Sequence, residues 1–173
     1  RTKRSHPSTD CSFRFEETCA GLCSDWKEWV YRIDNVAPES RVKAYPTVLH
    51  LNIGMNDEVA ADLAMCLTVN RTLIKLDLSD NQDISETGWR AIFTALKSPN
   101  CTLEELVLVY NRLNRDKMTS LAPLLANSMS LRSLDLSYNP EITITRWEAF
   151  SAVLQNSNLK LEELSLRNNG LNE

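Results

Sequence analysis

The chain has 173 residues, an apolar fraction of 43% and a formal net charge of −4, with an isoelectric point near 5.3. That length suits one domain, and no stretch reaches the roughly 18 consecutive apolar residues of a membrane-spanning helix. With only 4 glycines there is little room for phosphate-cradling loops, and no G-x-G-x-x-G, G-x-S-x-G or H-E-x-x-H motif occurs.

The first ten residues, RTKRSHPSTD, are polar and basic. Residues 1–23 are expected to be disordered on that ground. The first residue is Arg1, not Met, so the lack of a visible leader says nothing about destination. Cys11, Cys19 and Cys23 lie in this segment, with His6 ahead of them. Free thiols in a reducing compartment are the default reading. A disulfide within the cluster and a zinc site that includes His6 stay open, although gaps of 4, 7 and 3 residues fit no compact zinc pattern. Cys66 and Cys101 read as small core residues.

Next, SDWKEWVYRI (residues 24–33) places Trp26, Trp29, Val30 and Ile33 on one helical stripe, and Ser24 or Asp25 can cap it. Residues 24–45 are therefore expected to form a capping helix and a linker.

From residue 46 onward one phrase recurs. L-x-x-L-x-L-x-x-N reads LIKLDLSDN from Leu73, LEELVLVYN from Leu103, LRSLDLSYN from Leu131 and LEELSLRNN from Leu161. A softer copy, VLHLNIGMN, begins at Val48. The starts at 48, 73, 103, 131 and 161 lie 25, 30, 28 and 30 residues apart, which marks an internal repeat. The step of two between the second and third leucines is strand periodicity, so both side chains point to one side. The first leucine joins the same core from the preceding turn. The asparagine satisfies backbone groups where the chain leaves the strand, and stacking the repeats predicts a buried asparagine column. No repeat can bury its own leucines; its neighbours must do so.

Between the phrases the apolar period changes to that of a helix. The stripes are Val59, Leu63 and Cys66; Trp89, Ile92, Phe93 and Leu96; Met118, Leu121 and Leu125; Trp147, Phe150 and Leu154. The unit is strand, turn, helix, turn. The expected fold is an α/β solenoid over residues 46–173, with four repeats and a partial fifth, parallel strands on the concave face and helices on the convex face. The chain stops at Glu173, directly after the fifth strand phrase. Because solenoids carry capping units at their ends, a fragment of a longer array is expected.

The segment LKSPNCTLEELVLVYNRL, residues 96–113, resembles the leucine-rich repeats of the ribonuclease-inhibitor-like class, including those of NOD-like receptors. The resemblance covers residues 46–173 and not the first 45. It implies a horseshoe arc and a non-enzymatic, cytoplasmic protein-binding scaffold, part of a larger regulatory or receptor protein, without a cofactor. The alternative is a GTPase-activating protein, because a Ran GTPase activator is built from the same repeat class. Two repeats depart from the pattern: NQDI and NPEI place the apolar residue three after the asparagine, where NRL has it two after. The extra residue is expected in a longer loop toward the convex side.

Asn70-Arg71-Thr72 and Asn100-Cys101-Thr102 match the glycosylation sequon, yet each precedes a strand and reads more simply as a turn. His50 is the only histidine in the repeats, and the pairs Glu104/Glu105 and Glu162/Glu163 read as solvated strand residues rather than acid–base groups. The second, third, fifth, seventh and eighth positions of each phrase are expected to face the hollow. They carry seven acids against three bases, Lys75, Arg132 and Arg167, which argues against a phosphate backbone as partner. Val107, Val109, Tyr110 and Tyr138 stand out, because the scaffold needs no apolar residue there. With Glu105 and Asp135 beside them they form the candidate protein-binding site; the alternative is that the valines merely stiffen a strand. The expected partner is another protein carrying a basic patch, with no nucleic acid, membrane, metal or cofactor involved.

Overall fold

The structure, a computed structural model, describes residues 13–14, 47–99, 101–143, 147, 150–152, 154–155 and 159–170. Each of the five leucine phrases forms a short strand, and one further strand, Phe13–Arg14, lies ahead of them in the chain. In chain order these are β1 (Phe13–Arg14), β2 (Val48–His50), β3 (Lys75–Asp77), β4 (Glu105–Val107), β5 (Ser133–Asp135) and β6 (Glu163–Ser165). They pair in that same order into one sheet, every pairing parallel. Leu49, Leu76, Leu106, Leu134 and Leu164 stand side by side in one row.

That row corrects the register expected for the first repeat. The strand centre is Leu49, not Leu51, so the row advances by 27, 30, 28 and 30 residues. Leu49 and Met55, expected to face the hollow, are core residues with 4% and 1% exposure. Asn56 does not join the asparagine column. Its Oδ1 accepts the Val59 N–H at 3.1 Å and caps the next helix.

The helices are α1 (Asp57–Val69), α2 (Glu86–Leu96) and α3 (Arg115–Asn127), capped by Asn56, Ser85 and Asn114. Acidic residues occupy each first turn, where they complement the helix dipole. Asp57 ties two helices together: its Oδ1 accepts the Ser85 N–H at 2.8 Å and its Oδ2 accepts the Ser85 hydroxyl at 2.5 Å. Gly88 sits at this junction, where an added Cβ would lie 2.5 Å from Asp57 Oδ1 and 2.7 Å from Ile84 Cγ2.

The core lies between sheet and helices. The strand leucines form its floor, and the helical stripes close it with Leu63, Trp89, Ile92, Phe93, Met118, Leu121 and Leu125. Each fully buried leucine or phenylalanine contributes about 1.5–3 kcal/mol. Residues 147, 150–152 and 154 are helical too, with Phe150 buried and Trp147 and Leu154 packed against the same core. Cys66 and Cys101 are both partly buried and packed on the core, and the Cys66 thiol donates to the Asp62 carbonyl at 2.9 Å. Of residues 1–23 only Phe13–Arg14 is described. The helix expected at 24–33, its linker, the Cys11, Cys19 and Cys23 cluster and Asn100 lie outside the described residues.

Candidate protein-binding face

The face is positioned by the turn that ends each strand. Asn81, Asn111 and Asn139 are fully buried and bridge neighbouring repeats. Asn81 gives its backbone N–H to Asn111 Oδ1 at 2.8 Å, Asn111 to Asn139 Oδ1 at 2.8 Å, and Asn139 to Asn169 Oδ1 at 2.7 Å. Their side-chain amides donate to the leucine carbonyls of strand and turn, as Asn111 Nδ2 does to the Leu78 oxygen at 2.9 Å. Lys117 supports the column from α3: buried, it donates from Nζ to the Asn111 carbonyl at 3.2 Å. Burial pushes its ammonium pKa down, against the opposing pull of Glu141.

The residue before each asparagine turns left-handed. Asp80, Tyr110, Tyr138 and Asn168 have φ of 58°, 56°, 58° and 53°. Side chains in that conformation cost about 1–2 kcal/mol. Cross-strand bonds hold them in place nonetheless, since Asp80 donates to the Val109 carbonyl at 2.9 Å and Tyr138 to the Arg167 carbonyl at 2.8 Å. Three of them, Tyr110, Tyr138 and Asn168, line one recess at the end of the strand face.

Tyr110 and Tyr138 meet there. Their rings stack with centroids 4.6 Å apart and an interplanar angle of 26°. They remain 49% and 39% exposed. Behind them Val107 and Val109 are half-buried in and after β4. Val107 pairs in register with Asp77 on one side and Asp135 on the other. The six residues singled out from sequence therefore lie on two adjacent strands and their exit turns.

Their charges are less open than the sequence suggests. Glu105 Oε1 accepts from Lys75 Nζ at 2.5 Å, and Arg132 pairs with Glu162. Asp135 Oδ1 accepts the Ser137 N–H at 2.9 Å. Ser137, expected on the face, is 3% exposed and shares a hydrogen bond with Ser165 Oγ at 2.8 Å. Asp77 accepts from the Ser79 hydroxyl at 2.6 Å and lies 3.0 Å from His50 Nδ1. Burial alone would raise the Asp77 pKa, but the Ser79 and His50 hydrogen bonds outweigh it and hold the carboxyl below its ordinary value.

Beside the rings opens a recess of about 410 Å3, lined also by Gln82, Arg112, Pro140, Glu141 and Asn168. Sequence reasoning did not assign these residues to the site. Pro140 and Glu141 belong to the extended turn NPEI, so that turn reaches the tyrosine rim and not only the convex side. Among the described residues no group of three or more His, Cys, Asp or Glu is placed to hold a metal ion, and no helix is long and apolar enough to cross a membrane.

Stacked leucine phrases, a parallel sheet, an outer helix layer and a buried asparagine column define a leucine-rich-repeat protein. The family model described as Leucine Rich repeat matches residues 69–93 and 127–143. The chain is similar to NACHT, LRR and PYD domains-containing proteins. Protein 14 of Mus musculus is 33% identical over 109 residues, 63% of this chain and 11% of that protein. Protein 7 of Homo sapiens is 33% identical over 129 residues, 74% of this chain and 13% of that protein. Protein 12 of Mus musculus is 40% identical over 79 residues, 46% of this chain and 7% of that protein. The chain thus spans about a tenth of the length of these curated relatives.

Proposed function

We propose that this chain is a non-enzymatic, cytoplasmic protein-binding scaffold, part of a larger regulatory or receptor protein, and that it works through its strand face. The observation that carries the reading is the stacked pair Tyr110 and Tyr138, two of the five large apolar side chains exposed among the described residues. The scaffold gains little from two exposed aromatics held in left-handed backbone. Interface energy, in contrast, concentrates in such rigid aromatic anchors. Val107 and Val109 extend the apolar ledge. Asp135, together with Asp80 and Glu104 nearby, favours a partner that sets a lysine or arginine beside its apolar side chain. Glu105 adds less, since Lys75 already holds it.

The test is comparative capture from cytosol with three baits: the parent chain, Tyr110→Ala/Tyr138→Ala, and Arg90→Ala on the exposed side of α2. Proteins retained by the parent are expected to weaken by about 2 kcal/mol or more with the tyrosine pair and to be unaffected at Arg90. Loss with Arg90→Ala alone places the working surface on the helices.

A further inference from the structure

Charge is arranged in sequence across the tyrosine rim. Asp135 lies in β5, one carboxylate oxygen held by Ser137 and the other without a partner among the described residues. Three residues on, Tyr138 stacks on Tyr110. Past the rings comes Arg112, exposed, on the wall of the 410 Å3 recess. Arg112 makes no ion pair among the described residues, where the pairs are Lys75–Glu105, Arg90–Glu86, Arg132–Glu162 and His50–Asp77. The other polar groups of the recess are largely committed. Gln82 Nε2 donates to Asp80 Oδ1 at 3.0 Å. Glu141 has Oε2 shielded from solvent and acts on the buried Lys117 ammonium. The guanidinium is thus the open charge at this end of the rim.

We propose that the recess is a carboxylate subsite of the binding face: Arg112 takes an aspartate or glutamate of the partner, next to an apolar side chain laid on Tyr110 and Tyr138. The inference rests on the strand face being the binding surface. A guanidinium presents two parallel N–H donors that match a carboxylate. The neighbouring rings exclude water from one side and strengthen that pair. At about 410 Å3 the recess admits side chains of a partner segment but not a whole helix. Read from strand to rim, the face runs acid, aromatic, cation. The matching partner segment runs basic, apolar, acidic.

A peptide array tests this directly. Neighbouring positions are varied among lysine, glutamate, phosphoserine, leucine, phenylalanine and serine, and the array is probed with the full 173-residue chain. Peptides with basic, apolar and acidic side chains in that order, in either chain direction, should bind about tenfold or more above all-serine peptides. Arg112→Glu should lose the preference for glutamate, accept lysine at that position, and keep the apolar preference. Arg112→Gln should lose the glutamate preference without gaining lysine. Circular dichroism of both variants confirms that they fold. If the parent chain selects basic and apolar positions but not glutamate, or prefers phosphoserine, or if both Arg112 variants bind as the parent does, the subsite is overturned while the strand face stands. If Tyr110→Ala/Tyr138→Ala binds the same peptides, or no peptide binds, the strand-face reading falls and the subsite with it.

Discussion

Asn111 Oδ1 accepts the backbone N–H of Asn81 at 2.8 Å, across 30 residues of sequence. The same side chain donates to the Leu78 carbonyl, so one asparagine satisfies two backbone groups of the preceding repeat. Both groups are sealed from water, and each would cost about 1–3 kcal/mol if left without a partner. Asn111→Ala should therefore lower stability by that order in urea denaturation. Asn169→Ala, at a half-buried position, should cost less. Equal losses at the two positions would contradict a buried column.

The left-handed turn makes a second, opposite expectation. At most positions glycine is less stable than alanine, because it is freer in the unfolded chain. At Tyr138, φ is 58°, and alanine inherits the strain that glycine escapes. Tyr138→Gly should equal or exceed Tyr138→Ala in stability, by up to about 1 kcal/mol. A clear advantage for alanine in thermal melts would show that the turn is not held left-handed.

Gly88 reverses the usual helix rule as well. Glycine to alanine inside a helix commonly gains about 1 kcal/mol. Here the new Cβ would meet Asp57 Oδ1 and the buried Ile84 side chain, and Asp57 is pinned by Ser85. Gly88→Ala should lose roughly 1–3 kcal/mol. A gain in the denaturation midpoint would mean that the α1–α2 junction relaxes freely.

Asp77 sets an acid limb of stability. Despite the burial that would raise it, the Ser79 and His50 hydrogen bonds hold its carboxyl below the ordinary value of 3.8. A depressed carboxyl stabilises the fold above its unfolded pKa and loses that contribution as pH falls through the folded value. Asp77→Asn should flatten the decline in urea midpoint between about pH 5 and pH 2. An unchanged slope would locate the acid sensitivity elsewhere.

The fold was legible because two periods alternate without ambiguity: steps of two at Leu76 and Leu78, then steps of three and four at Trp89, Ile92, Phe93 and Leu96. The asparagine column followed from the same alignment. The first repeat was misread for a physical reason. Sliding the pattern by two residues preserves the alternation, so Leu49 with Leu51 and Leu51 with Ile53 serve equally well as the paired strand residues, and local patterning alone does not choose between the two registers. Asn56 then imitates a column asparagine while serving as a helix cap. The placement of Val107, Val109, Tyr110 and Tyr138 together could be read from their shared positions in adjacent phrases. The neutralising of Glu105 by Lys75 depends on cross-strand register, and the recess depends on how the turns after Asn81, Asn111 and Asn139 pack. Neither leaves a mark in local patterning.

Crosslinking from the two sides of the repeat array shows directly which one meets a partner. A photo-crosslinking residue placed at Val109 probes the strand face, and one at the exposed Thr94 of α2 probes the helices. In cytosol, Val109 should give a discrete protein adduct that disappears with Tyr110→Ala/Tyr138→Ala, while Thr94 gives none. An adduct from Thr94 alone, or one at Val109 that survives loss of both tyrosines, would contradict the assignment.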